Sequence, residues 1–158
     1  MTTPERPETP LLSGERLLTG WRPTLQLFAH RAILLSFVTA LALASLGYLT
    51  LVQWLIAVPV FTVIFVVVFD DLSTWFRHRN DRWFLTNMRL IYERVGAPEE
   101  NAAISLDKID WLRPWAWWGL RIGFTVGTAT TMQFVHRPRD IRTRILDAKA
   151  AFEDGKND

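Results

Sequence analysis

The chain contains no cysteine. That absence removes disulfides, zinc–thiolate centres, iron–sulfur clusters and thiol nucleophiles together, and nothing else in the composition points to an oxidising compartment. An excess of charge of one sign is also lacking. Eighteen Lys and Arg against 16 Asp and Glu leave a formal net charge of +2, too little to argue for nucleic acid as a partner. No glycine-rich loop follows a strand-like run, so a nucleotide-phosphate cradle is not expected. His30, His78 and His136 fall in separate elements, without the spacing that places two ligands on one helical face, and neither a metal nor another cofactor is expected. Against these gaps stand eight tryptophans in 158 residues. Amphipathic indoles gather where one end is apolar and the other wet, at membrane interfaces and protein contacts.

The strongest signal is a run without charge from Ala32 to Phe69, bracketed by Arg31 and Asp70. One helix through it would be about 57 Å long, against a hydrocarbon core of about 30 Å, so two spans are expected. The turn falls at Gly47 to Trp54, where Gly47, Tyr48, Thr50, Gln53 and Trp54 interrupt the aliphatic sequence. Helix one is then placed at about 30–48 and helix two at about 53–76. Leu, Ile, Phe and Val number nine in Ala32–Leu49 and fourteen in Leu51–Phe69. Those counts are worth about −3 to −5 and about −4 to −8 kcal/mol on an insertion scale, so both segments insert. Pro59 is expected to kink the second helix. A cleaved signal peptide competes, because Ala42-Leu43-Ala44 mimics a cleavage site. The charged region before it is too long for that reading, and apolar sequence continues past it.

Arg16, Arg22 and Arg31 precede the first helix, and Arg77, Arg79, Arg82 and Arg89 follow the second. The positive-inside tendency therefore puts both termini of a multi-pass anchor in the cytoplasm, with the short hairpin tip on the other side. Residues 1–13, rich in Pro, Thr and Glu, have the composition of a flexible tail.

From Arg82 the apolar pattern shortens and alternates. Arg82–Thr86 and Arg89–Arg94 are strand-like and separated by Asn87-Met88, a spacing suited to a tight hairpin. Ala103–Leu106, Ile109–Arg113, Arg121–Val126 and Thr130–His136 are further expected strands. After Pro138, Ile141, Ile145, Ala148 and Phe152 recur at helical spacing, predicting a closing amphipathic helix to about Glu153.

The order of elements and three local segments resemble the bacterial pleckstrin-homology-like (PH-like) membrane proteins. Gly14-Glu15 with Leu17, Leu18, Trp21, Arg22 and Pro23 is similar to the family's pre-membrane motif. Trp83-Phe84-Leu85-Thr86-Asn87-Met88-Arg89-Leu90 is similar to its first hairpin, with Trp83 where Tyr is more usual. Ile104-Ser105-Leu106 with Ile109, then Phe134, Pro138, Ile145 and Ala148, complete the likeness. The resemblance implies an α+β membrane protein: a transmembrane helical hairpin, then a small PH-like β-roll with a C-terminal helix. The corresponding division is a tail at 1–13, a pre-membrane segment at 14–31, a hairpin at 32–76, a cytoplasmic PH-like domain at 77–154 and a tail at 155–158. Some relatives in that family are similar to assembly factors for photosynthetic membrane complexes.

Candidate sites are few. The adjacent Asp70-Asp71 pair cannot converge as a carboxylate dyad, because neighbouring helical side chains point about 100° apart. Four indoles occur in eight residues, at Trp111, Trp115, Trp117 and Trp118, around Pro114, and a small core cannot take them all. Trp111 is expected in the core. Trp115, Trp117 and Trp118, flanked by Arg113 and Arg121, are expected to form a surface that docks the membrane or a membrane-protein partner. Phosphoinositide binding is discounted, since the first strand loop is taken to be Asn87-Met88 with Arg89 alone. The expected function is a non-enzymatic adaptor or assembly factor at the cytoplasmic membrane face, with a lipid-headgroup-sensing module as the alternative. Membrane lipids and a membrane protein are the expected partners, and self-association stays open.

Overall fold

The computed structural model describes residues 6–45, 47, 50–68, 71–115 and 119–157. Its contacts divide the chain into two units: Leu25–Arg77, and Met1–Thr24 together with His78–Asp158. The second unit is interrupted in sequence by the first.

The helical unit comprises α1 (Leu25–Ser45), α2 (Leu51–Val68) and α3 (Asp71–His78), the last residue of α3 belonging to the other unit. α1 has 21 residues and a mean hydropathy of 1.8, long and apolar enough to cross a membrane; a shorter apolar stretch spans Leu51–Ile64. Ala32, Ser36 and Ala40 recur every fourth residue on its buried face, and such small side chains let helix backbones approach closely. The Ser36 hydroxyl satisfies itself on the Ala32 carbonyl at 2.8 Å. A reciprocal cap starts α2. The Gln53 amide donates to the Thr50 hydroxyl at 3.4 Å, and the Thr50 amide donates to the Gln53 side chain at 2.9 Å. α1 starts before the expected residue 30, and α2 and α3 are the described helical parts of the expected second helix, whose residues 69–70 lie outside the described residues. Pro59 lies inside α2, where the Thr62 hydroxyl bonds the Val58 carbonyl.

The β unit holds two antiparallel sheets. β1 (Leu17–Trp21), β2 (Asp81–Thr86), β3 (Arg89–Arg94) and β4 (Ala102–Ser105) form the first, in that order; β5 (Ile109–Trp115), β6 (Gly119–Phe124) and β7 (Ala129–Gln133) form the second. α4 (Pro138–Asn157) closes the unit. Its Ile141, Ile145 and Ala148 join Leu85, Leu90, Leu106, Leu120, Ile122 and Met132 in one core, as their spacing predicts. α4 also covers the free edge of β5. Arg142 donates to the Leu112 carbonyl and Lys149 to the Ile109 carbonyl, which takes that edge out of reach of another strand.

Two expectations for the N-terminal part are corrected. The segment at 14–31 is not one pre-membrane piece: Leu17–Trp21 is the first strand of the sheet, with Gly20 opposite Phe84 and Trp21 opposite Trp83. Gly20 lets the strands approach closely there, since a Cβ would stand 3.1 Å from the Phe84 ring and the ring would have to shift by a few tenths of an ångström. Nor is the described part of the expected tail free. The amides of Glu8 and Thr9 both donate to the buried Glu93 carboxylate, at 3.1 and 2.7 Å.

Candidate functional site

Strand alternation and one irregularity build the outer face of the second sheet. Ile109 and Leu112 of β5 are both buried, which strict alternation forbids; a register shift between Ile109 and Trp111 absorbs the extra residue. Trp111, Arg113 and Trp115 consequently turn outward, opposite Gly123, Arg121 and Gly119 of β6. Pro114 does not end the strand, because β5 is an edge and needs no ladder donor on its free side.

Trp111 is therefore half-buried on this face and not in the core. Its indole lies flat across Gly123, where a Cβ would come within 2.1 Å of the ring. Arg113 and Arg121 sit directly opposite each other, with their guanidinium carbons 5.1 and 5.9 Å from the centre of that indole. Thr131 of β7 stands beside Arg121 on the same face. Trp115 is 57% exposed. The structure thus brings Arg113, Arg121 and Trp115 together with Trp111; Trp117 and Trp118 lie outside the described residues, as does Asp70.

A second polar cluster sits where α3 ends and β2 begins. His78 Nδ1 is 2.7 Å from Asp81 and 3.1 Å from Arg94, so one nitrogen faces an acceptor and a donor, and its tautomer decides which bond forms. Arg94 donates to Asp81 at 3.1 Å and also pairs with Glu100. Burial and the Asp81 carboxylate push the Tyr92 phenol up to about 12. The His78–Asp81 pair has the look of a base with its orienter, yet among the described residues no hydroxyl nucleophile bonds His78. Also among the described residues, no three His, Asp or Glu side chains gather as a metal site.

Sequence reasoning missed two features. The connection between the first and second strands is the whole helical unit and not Asn87-Met88. At its two ends Arg22, Arg79, Asn80, Asp81 and Arg82 line a cleft of about 140 Å³. The signal was available in the arginines that bracket the apolar run, but their convergence depends on β1 pairing with β2.

The other missed feature is a clip on the first hairpin. Glu15 receives the Thr86 hydroxyl at 2.7 Å, Arg89 Nε and Nη2 at 2.8 and 3.0 Å along one guanidinium edge, and the Leu12 amide at 2.7 Å. Asn87 accepts the Arg16 amide at 2.7 Å. Burial opposes ionisation of Glu15, but the hydrogen bonds from Arg89, Leu12 and Thr86 and the Arg89 charge prevail, and its carboxyl lies below the usual carboxylate range. Gly14-Glu15 and Thr86-Asn87-Met88-Arg89, separate motifs in the sequence, are thereby one structural device.

Comparison with protein-family models, curated proteins and solved structures finds no match to this chain.

Proposed function

We propose that this chain is a membrane-anchored, non-enzymatic adaptor. Its helical unit crosses a bacterial inner membrane twice, its β unit is a PH-like domain at the cytoplasmic face, and the outer face of β5–β7 is the docking surface.

One observation carries the reading: β1 pairs with β2 although the entire helical unit separates them in sequence. A chain that leaves after Trp21 and returns by Asp81 must come back to the side it left, because Trp21 and Trp83 are partners in one ladder. A single crossing would part them by a hydrocarbon core of about 30 Å, so any crossing occurs an even number of times. Signal-peptide cleavage after Ala44 would likewise strip β1 and Glu15 from the sheet that binds them.

Burial in the helical unit supports lipid as its solvent. Beyond the first turn of α1, where Leu27 and Phe28 are buried, the inside positions are Ala32, Ser36 and Ala40, while Ile33, Val38, Leu41, Leu51, Val52 and Leu55 are exposed, the reverse of a water-soluble helix pair. The arginines at both ends of the unit favour the cytoplasmic side for the β unit. Sheets of four and three strands closed by α4 fit a PH-like roll. An adaptor needs a surface and no reacting group, which agrees with an exposed aromatic and two arginines on one face.

The test is a photoreactive amino acid placed in living cells at Trp115 and, as a control, at the still more exposed Val126. The reading expects a discrete adduct with a membrane protein or lipid from position 115 and none from 126. Equal labelling at both positions contradicts it.

A further inference from the structure

We propose that the outer face of β5 and β6 is a phosphate site for an anionic lipid headgroup, with Arg113 and Arg121 as two arms on the Trp111 indole. The proposal rests on the anchored reading above and adds what the face binds.

Like charges directly opposite on neighbouring strands destabilise a sheet, and Arg113 and Arg121 are such a pair. Among the described residues neither has a carboxylate partner. What they share is one indole, with both guanidinium carbons within 5.9 Å of its centre. Contacts of this kind hold the arginines in place and leave both charges uncompensated. Gly123 makes the arrangement achievable, because any side chain there would lift the indole off the sheet.

The chemistry that completes the site follows from these parts. Planar guanidinium forks bind phosphate oxygens in pairs. A phosphate monoester carries about −1.5 to −2 charges near neutral pH and balances two arginines, whereas one carboxylate balances one. Thr131, beside Arg121, adds a hydroxyl on the same face. Trp115, exposed and two residues from Arg113, supplies the amphipathic ring that settles at headgroup depth. A domain tethered to a bilayer meets lipid phosphate at high effective concentration, which selects the headgroup over a soluble ester as the ligand.

The test uses the full chain in neutral detergent, titrated with dioctanoyl phosphatidate and followed by calorimetry. Each of Arg113→Gln and Arg121→Gln is expected to weaken binding about fivefold, and the pair about thirtyfold. Melting of the double variant should hold or rise as the repulsion disappears. If the double Gln variant does not fold, the Arg113→Lys/Arg121→Lys variant keeps the charge and loses the fork, and Gly123→Ala displaces the platform; both are expected to bind several times more weakly.

Four results overturn the proposal. They are wild-type affinity in a folded arginine variant, equal binding of dioctanoyl phosphatidylcholine, equal binding of inorganic phosphate, and displacement of phosphatidate by hexaglutamate. The first two remove the phosphate arms, the third replaces lipid by free phosphate, and the fourth replaces lipid by an acidic protein segment. None bears on whether the helical unit spans the membrane, which residue-by-residue accessibility decides separately.

Discussion

The two units obey one rule with opposite results. In the β unit the fully buried side chains are large and apolar, Leu85, Leu90, Ile91, Leu120, Ile122 and Phe134 among them, and the arginines lie outside or in ion pairs. In the helical unit the buried positions include Ala32, Ser36 and Ala40, while Leu51, Val52 and Val63 are 76, 67 and 65% exposed. A side chain gains from burial only if its surroundings outside are water. The inversion is what the proposed membrane anchor requires, and the strands that flank the helical unit in sequence, β1 and β2, pair within the β unit.

The largest effect that separates the units comes from matched truncations. Leu120→Ala in β6, where Leu120 has no exposed surface, is expected to cost about 2–5 kcal/mol and lower the melting temperature of the β unit. Leu55→Ala, at a position 61% exposed, is expected to stay within about 0.5 kcal/mol in detergent. Equal losses from both would mean that α2 buries Leu55 in a water-excluded core and would end the comparison.

A smaller effect comes from the Glu15 clip. Glu15→Gln removes the charged acceptor of Arg89 and is expected to cost about 1.5–3 kcal/mol, read as faster proteolysis at residues 6–13 and faster exchange of the Arg16 amide. Its pH dependence has a defined sign. The folded-state value lies below the ordinary 4.5, so the contribution is complete above about 4.5 and is lost as pH falls through the folded value. The exchange of the Arg16 amide should speed up in acid in the wild type and change less with pH in the Gln variant, which keeps only the Glu93 hold on Glu8 and Thr9.

The smallest expected effect lies in the helical unit. Thr50→Ala breaks the reciprocal cap of α2 and should cost about 1 kcal/mol, seen as fraying of its first turn and not as a change in β-unit melting.

How much of this was legible depended on how local each signal is. The Asn87-Met88 hairpin, the α4 stripe at Ile141, Ile145 and Ala148, and the uncharged run all write themselves into neighbouring residues, and the elements expected there occur. β1 was not legible. Leu17–Trp21 is short, carries Gly20, and is a strand because of residues beyond the helical unit. The course of residues 6–13 was hidden likewise, since composition says nothing of two amides converging on Glu93. Trp111 was misassigned to the core because alternation counted from Ile109 puts it inside, and the register shift that turns it out costs a single residue. The chemical content of the face at Arg113 and Arg121 was visible as residue types, while their opposition across one indole required the β5–β6 register.

The central claim is that the helical unit is an excursion that returns to the side it left. A chain without cysteine allows a direct measurement with single-cysteine variants Ser13→Cys, Ser45→Cys and Val126→Cys, each at an exposed position, and a membrane-impermeant maleimide. In intact spheroplasts only Ser45→Cys should react, and in inverted vesicles only Ser13→Cys and Val126→Cys. Reaction of Ser13→Cys and Val126→Cys from opposite sides would contradict the account, because β1 and β2 could not then share a sheet.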